Sequence, residues 1–258
     1  MALNWIPQGG EVLIQGASRG IGLQFVEQCL AQDRIARVWA SCRDPARAQA
    51  LQALAEAHPQ RLRLLTLDVT DESTIQAAAA EVTAAQGRLH LVVNAAGLLH
   101  DRARRIRPEK RLEAVTPEAL SALFQVNAAG PLLVARHFLP RLEHGDPAVF
   151  AAISARVGSI GDNRKGGWYA YRGSKAALNQ FIRTLAVELE RRAPQVSCVA
   201  LHPGTTDTDL SAPFQAWVPA DQLFPPQRTV RQLLAVIDGL DASDSGGFFA
   251  WDGQPIPW

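Results

Sequence analysis

Apolar residues in this chain follow two alternating rhythms. Runs of five to seven residues, Glu11–Gln15, Arg37–Cys42, Leu62–Thr66, Leu89–Val93, Ala148–Ile153 and Gln195–Leu201, are short and mostly continuous in apolar character. That is the signature of strands buried on both faces. Between them the period changes to that of a helix. Leu23, Phe25, Val26 and Leu30 follow the first strand, and Pro45–His58 and Asp71–Ala85 follow the second and third. A long helix is predicted from Pro117, burying Leu120, Leu123, Phe124, Val126, Leu132, Leu133 and Phe138, with a kink near Gly130-Pro131 because proline cannot donate its backbone bond. Another runs from Trp168 to Arg191, where Ala177, Leu178, Phe181, Ile182, Leu185 and Leu189 recur at helical spacing. A last helix, Gln227–Gly239, and a last strand, Gly247–Trp251, close the chain. Strand–helix alternation of this kind predicts an α/β fold: one doubly wound parallel sheet with helices on both faces.

Composition narrows the picture. With 258 residues and 47% hydrophobic content the chain can bury a large core as a single domain spanning 1–258, and it has no repeats or linkers. A net charge of +1 argues against a nucleic-acid partner held on a basic surface. The stretch His100–Thr116, basic from Arg102 to Arg111, is read as a solvated loop, with an acidic substrate or partner as the alternative. Cys29, Cys42 and Cys198 are widely separated and lack metal spacing, which suggests reduced thiols, a cytoplasmic protein and no bound metal. The N-terminus has no signal-peptide pattern, and no apolar stretch is read as approaching the roughly 20 residues that cross a bilayer, so no membrane partner is expected.

Candidate chemistry begins at Gly16-Ala-Ser-Arg-Gly20-Ile-Gly22, directly after the first strand and opening a helix. This is the context a dinucleotide fingerprint requires: Gly16 for a tight turn, Gly20 for approach to a pyrophosphate, Gly22 for helix–strand packing. The helix N-terminus then offers free N–H groups to the phosphates. An NAD site usually places an acidic residue after the second strand, but here Arg43 comes first and Arg19 lies in the glycine turn. A guanidinium can fork onto a 2′-phosphate, so NADP(H) is favoured over NAD(H), with Asp44 as the residue that would serve NAD. Asp68 and Val69 end the third strand, where Asp68 either contacts the adenine or caps the next helix. Asn94-Ala95-Ala-Gly97 closes the fourth strand, Asn94 able to stitch neighbouring strands and Gly97 leaving room for a cofactor.

Tyr171 and Lys175 stand four apart near the start of the long helix, one turn from each other on one face. An ammonium beside a phenol favours the phenolate and lowers its pKa, giving a proton donor usable in carbonyl reduction. Alone, such a pair usually marks a solvated helix face. The order and spacing of the glycine turn, Asp68-Val69, Asn94–Gly97 and Tyr171-x-x-x-Lys175 resemble the short-chain dehydrogenase/reductase superfamily, over almost the whole chain. Gly158–Asn163, Gly166–Arg172, Gly246-Gly-Phe-Phe and the final Trp-Asp-Gly look like its C-factor-type, carbonyl-reductase-like branch.

The resemblance implies a Rossmann-type fold. Its nucleotide half would be about 1–100 and its catalytic and substrate half about 101–258. It implies NADP(H) bound by Gly16, Ser18, Arg19, Gly20, Ile21, Gly22, Arg43, Asp68, Val69, Asn94, Ala95, Gly97, Tyr171, Lys175, Pro203, Gly204, Thr205 and Thr208. A small carbonyl or alcohol would be the substrate, Tyr171, Lys175 and Asn127 the proton relay, and a homodimer or homotetramer the assembly. One departure stands out. Counting back three from Gly158, where most members carry a substrate-binding serine, gives Ala155. Ser154 points to the other face of the strand unless the loop shifts register, and Ser159 is the other nearby hydroxyl. Ser154 is taken as the catalytic hydroxyl on that condition. The departure also motivates another reading, a cofactor-binding regulatory or signalling protein with little turnover; an NAD-dependent alcohol dehydrogenase is a second alternative. His202 is read as structural, and Pro213, Phe214, Trp217 and Phe224 as part of a substrate-covering segment.

Overall fold

The computed structural model describes residues 3–258. A seven-stranded parallel sheet, in the order β3-β2-β1-β4-β5-β6-β9, runs through the middle of the molecule. Its strands are β1 (Gly10–Gln15), β2 (Ile35–Cys42), β3 (Leu62–Thr66), β4 (Leu89–Asn94), β5 (Ala148–Ile153), β6 (Val196–His202) and β9 (Phe248–Ala250). The strand order reverses between β1 and β4, the position where open parallel sheets collect ligands beyond their carboxyl ends. Strands β4 and β5 are buried along their whole length, as expected of a sheet covered on both faces.

Helices α1 (Gly20–Leu30), α2 (Gln49–Ala57), α3 (Glu72–Ala84), α4 (Pro117–Phe124), α5 (Gly130–Phe138), α6 (Tyr169–Arg192) and α7 (Pro226–Asp238) form the two outer layers. One core lies between the sheet and α3, α5 and α6, with Phe138, Phe150 and Leu178 at its heart. The other lies on the opposite face, where Phe25 and Val26 of α1 and Leu233 and Leu234 of α7 meet β1, β2 and β4. Alternate side chains of one strand serve the two cores: Leu13 faces the first, Val12 and Ile14 the second.

Three local departures from the sequence reading have physical causes. The region Pro45–His58 is not one helix, because Asp44 caps a separate short turn, Pro45–Arg47, before α2 begins. The kink in the long helix is a π segment, Gln125–Ala129, inserted between α4 and α5, with Pro131 just beyond it. Counted as one helical run, Pro117–Arg141 is long and apolar enough to cross a membrane by length and composition, which corrects the expectation that no apolar stretch approaches that length; half of its most apolar 18-residue window is buried. The third departure is a two-residue parallel pair, β7 (Thr205–Thr206) with β8 (Leu223–Phe224), which ties down the covering segment between them. Cys29, Cys42 and Cys198 are all free and buried.

Candidate active site

The glycine turn follows β1 at the point of strand reversal. Gly16 has φ +82°, and a Cβ there would lie 2.5 Å from the Ala96 nitrogen. A Cβ on Gly22 would lie 2.1 Å from the Gly16 carbonyl oxygen. Neither position admits a side chain. Arg19 stands at the N-cap of α1 in extended conformation, and no side chain caps the helix. The first-turn N–H groups are therefore available to an anion. Thr208 lies over this turn, its methyl 3.2 Å from where a Gly20 Cβ would be, which brings the segment after β6 to the mouth of the β1 turn.

Around this cradle several polar groups await partners. Asn94 is 2% exposed, and neither its Oδ1 nor its Nδ2 has a hydrogen-bond partner. The sequence expectation that it stitches the strands together is thus corrected: its backbone joins the sheet and its amide does not. The Ser41 hydroxyl on β2 is also buried and unpartnered. Unpartnered polar groups at strand carboxyl ends fit a polar ligand such as a dinucleotide. Asp68 accepts from the Thr70 nitrogen at 2.9 Å and from its hydroxyl at 2.7 Å, while the cap of α3 is Asp71. Asp44 is engaged with the Arg47 nitrogen at 3.3 Å. Arg43 is exposed. Arg19 forms a 3.0 Å ion pair with Asp209, both side chains largely in solvent.

The residues for proton chemistry meet around α6. Trp168 adopts a left-handed conformation, φ 56°, and the helix starts at Tyr169. Glu109 holds that start: its carbonyl accepts from the Trp168 nitrogen and its carboxylate Oε2 from the Ala170 nitrogen at 3.4 Å. Tyr171 is 7% exposed and packs edge-on against Trp168, ring centroids 6.1 Å apart. The Lys175 amine lies 5.9 Å from the Tyr171 ring centroid and donates to the Ile153 carbonyl at 2.8 Å.

Asn127, fully buried in the π segment, is anchored on three sides. Its Oδ1 accepts from the Leu98 nitrogen at 2.7 Å, and its Nδ2 donates to the Leu98 carbonyl at 2.7 Å and the Ser174 hydroxyl at 3.0 Å. Ser174 in turn donates to the Tyr171 carbonyl at 2.9 Å. A Cβ on Gly97 would lie 3.6 Å from Asn127 Oδ1 and 3.9 Å from Lys175 Nζ. Tyr171, Lys175, Asn127 and Gly97 thus border a common space.

Electrostatics modify the sequence reading. Burial pulls the Lys175 ammonium down to about 7 and pushes the Tyr171 phenol above its ordinary value. Desolvation of both groups outweighs the mutual effect expected of an adjacent ammonium and phenol. His202 is pulled down to about 4, first by burial and then by Arg156, so it is neutral at neutral pH.

Ser154 does not take the position its candidacy required. The loop makes no register shift, and the buried hydroxyl donates to Asn179 Oδ1 at 2.6 Å, two turns along α6 from Tyr171. Ser159 is buried and accepts from the Asp162 nitrogen at 3.1 Å. Ala155, by contrast, belongs to an apolar cluster with Val157, Trp168, Tyr171, Leu210 and Phe214. Trp168 and Phe214 are 5.0 Å apart in that wall, and His100 lies edge-on to Phe214 at 6.1 Å. Gly204, φ +72°, turns the chain so closely past Phe224 that a Cβ would meet the ring at 2.7 Å. Glu109, Ser174 and Asn179 escaped the sequence reading, since only the three-dimensional packing brings them to α6.

This sheet order, with a glycine turn at the reversal point and a phenol–amine pair beyond the strand ends, is that of a Rossmann-type oxidoreductase. The chain belongs to the short chain dehydrogenase family, whose model matches residues 11–219, and lies in its carbonyl-reductase-like branch. It is 34% identical to the NADPH-bound carbonyl reductase from chicken fatty liver, with a TM-score of 0.86 over 98% of this chain and 95% of that one. It is 30% identical to the 1-hydroxy-2-glutathionyl-2-methyl-3-butene dehydrogenase of Rhodococcus sp. strain AD45, over 96% of this chain and 99% of that protein. It is 40% identical to the C-signal protein of Myxococcus xanthus, over 54% of this chain and 78% of that protein.

Proposed function

We propose that this oxidoreductase uses NADP(H) to interconvert a carbonyl and an alcohol on a substrate with a bulky apolar group. The observation that carries the reading is the shared space bordered by Tyr171, Lys175, Asn127 and Gly97. The nucleotide half would hold the cofactor: the Gly16–Gly22 turn with Ser18 and Ile21 at the pyrophosphate, Arg19 and Arg43 at a 2′-phosphate, Asp68 and Val69 at the adenine. Asn94, Ala95, Gly97, Pro203, Gly204, Thr205 and Thr208 would line the nicotinamide side. When bound, the reduced nicotinamide supplies a hydride to the carbonyl carbon.

Tyr171 would give its phenolic proton to the carbonyl oxygen as the alcohol forms, and take it back in the reverse direction. Lys175 would grip the ribose and, once hydrogen-bonded there, hold its positive charge beside the phenol. Pro131, just past the π segment, has no N–H to donate back into it, and the Asn127 carbonyl would anchor a water that resupplies the proton. Ala155 gives no hydroxyl to the substrate oxygen. Its cluster with Trp168, Leu210 and Phe214 favours instead an aromatic or branched group beside the carbonyl.

A homodimer or homotetramer fits the partly exposed Phe124, Leu132 and Val187 on α4, α5 and α6. The three buried thiols suit a reducing, cytoplasmic setting. NADPH consumption with a panel of aldehydes, ketones and quinones tests the reading. Turnover of aromatic ketones supports it. Tight NADPH binding with no turnover on any of them favours a regulatory, cofactor-sensing protein. A preference for NADH that survives Arg43→Ala favours the NAD-dependent alternative.

A further inference from the structure

At the amino ends of β4 and β5, remote from the catalytic cleft at the carboxyl ends, three potential metal ligands come together. His90 is the second residue of β4, and His144 and Asp146 lie in the turn before β5. One ligating atom from each residue lies within 4.8 Å of the others. His90 is 4% exposed, its ring centroid is 4.7 Å from that of His144, and its Nε2 is buried with no hydrogen-bond partner. A buried ring nitrogen without a partner is costly unless something completes its coordination.

The geometry of the other two residues points the same way. His144 Nε2 is 2.9 Å from the Leu89 carbonyl, which can only accept, so the imidazole proton sits on Nε2 and the lone pair on Nδ1. That is the arrangement of a histidine ligand whose far nitrogen is held by a carbonyl. The Nδ1 lone pair accepts from the Asp146 nitrogen at 3.3 Å, a long contact that a bound ion would replace. His144 Nδ1 lies 3.8 Å from Asp146 Oδ2, close to the roughly 3.4 Å between two ligands of a tetrahedral ion. Asp146 is also bound by Arg88 at 2.7 Å, through a side chain more than half exposed that can turn away. The Glu11 nitrogen approaches His90 Nδ1 at 3.4 Å, a long contact that a metal-bound tautomer, protonated on Nδ1, would give up.

We infer that His90, His144 and Asp146 form a binding site for one divalent transition-metal ion of the zinc type. Two imidazoles and one carboxylate select zinc-like ions over magnesium or calcium, which want oxygen ligands. Three protein ligands leave one position for water. The ion would link β4 to the turn before β5 and stabilise the folded chain by binding it alone. Because His90 lies 54 residues before His144, with Asp146 just beyond, no motif spacing announces the set.

Untagged, metal-free protein titrated with Co2+ and Zn2+ tests this. The expected result is one equivalent bound, with visible cobalt bands of nitrogen and oxygen ligation and a rise in Tm. Asp146→Asn, which keeps the shape of the turn, should weaken binding at least tenfold, and His144→Gln should abolish it. The Tm of metal-free Asp146→Asn should match the parent, which controls for folding. No uptake by the parent, equal uptake by both variants, or cobalt bands of thiolate ligation would each overturn the site.

Discussion

The nucleotide side and the substrate side of the cleft are made of different materials. Around the β1 turn the decisive groups are main-chain atoms, glycines with no room for a side chain, and the uncapped end of α1. Across the cleft, Ala155, Trp168, Leu210 and Phe214 form a wall of apolar side chains, and Ser154, beside Ala155 in the chain, is tied to Asn179. On the proposed function, one side would recognise its ligand through backbone geometry. The other would recognise through side-chain shape, which single substitutions can rewrite.

The largest effect should come where the two sides meet. Tyr171→Phe should lower kcat by roughly 10²- to 10⁴-fold while leaving NADPH affinity within a few-fold, read by steady-state kinetics and fluorescence titration. A variant as fast as its parent would remove the phenol from the mechanism. On the substrate side, Ala155→Ser restores a hydroxyl to a wall that lacks one and should raise kcat for small ketones by as much as about 10²-fold. Bulky aromatic ketones should gain less, because the new hydroxyl intrudes on the apolar wall. If small and bulky ketones respond alike, the wall does not select.

The glycine turn shows how much of this was legible in the chain. Its spacing, and the strand and helix around it, could be read directly because a tight turn is a local matter of backbone conformation. The hydroxyl's orientation was not, since Ser154 finds its partner 25 residues away on a helix whose rotation is set by packing. Glu109 was hidden in the same way. It sits in a basic run that reads as a solvated loop, yet the fold buries its carboxylate at the start of α6. The pair β7–β8, two residues each, is too short for any hydrophobic period to announce it.

On the nucleotide side, Gly22→Ala pushes a methyl into the Gly16 carbonyl and should cost about 1–3 kcal/mol of stability along with most NADPH affinity. Denaturant unfolding and NADPH titration measure both. Arg43→Ala should weaken NADPH about tenfold and leave NADH within about twofold, as loss of one charge-assisted contact predicts. Equal losses for the two cofactors would shift the 2′-phosphate contact elsewhere.

A further effect joins pH to folding. The unfolded chain keeps the Lys175 proton up to its ordinary value of 10.5, whereas the folded chain releases it near 7. Between those limits the unfolded state binds more protons, so stability contributed through this group rises with pH. The Tm of cofactor-free parent protein relative to Lys175→Met should therefore increase from pH 7 to pH 10. A constant difference across that range would mean that the buried amine keeps its charge.

The wide turn Gln125–Ala129 has a consequence for how this region can vary. Because Asn127 is carried round to Leu98 and Ser174 by an extra residue in the helix, chain length there matters more than residue identity. Deleting one residue would return the helix to ordinary pitch, close the wide turn and withdraw Asn127 from Leu98 and Ser174. Neighbouring side chains in this stretch can drift, but its residue count is held.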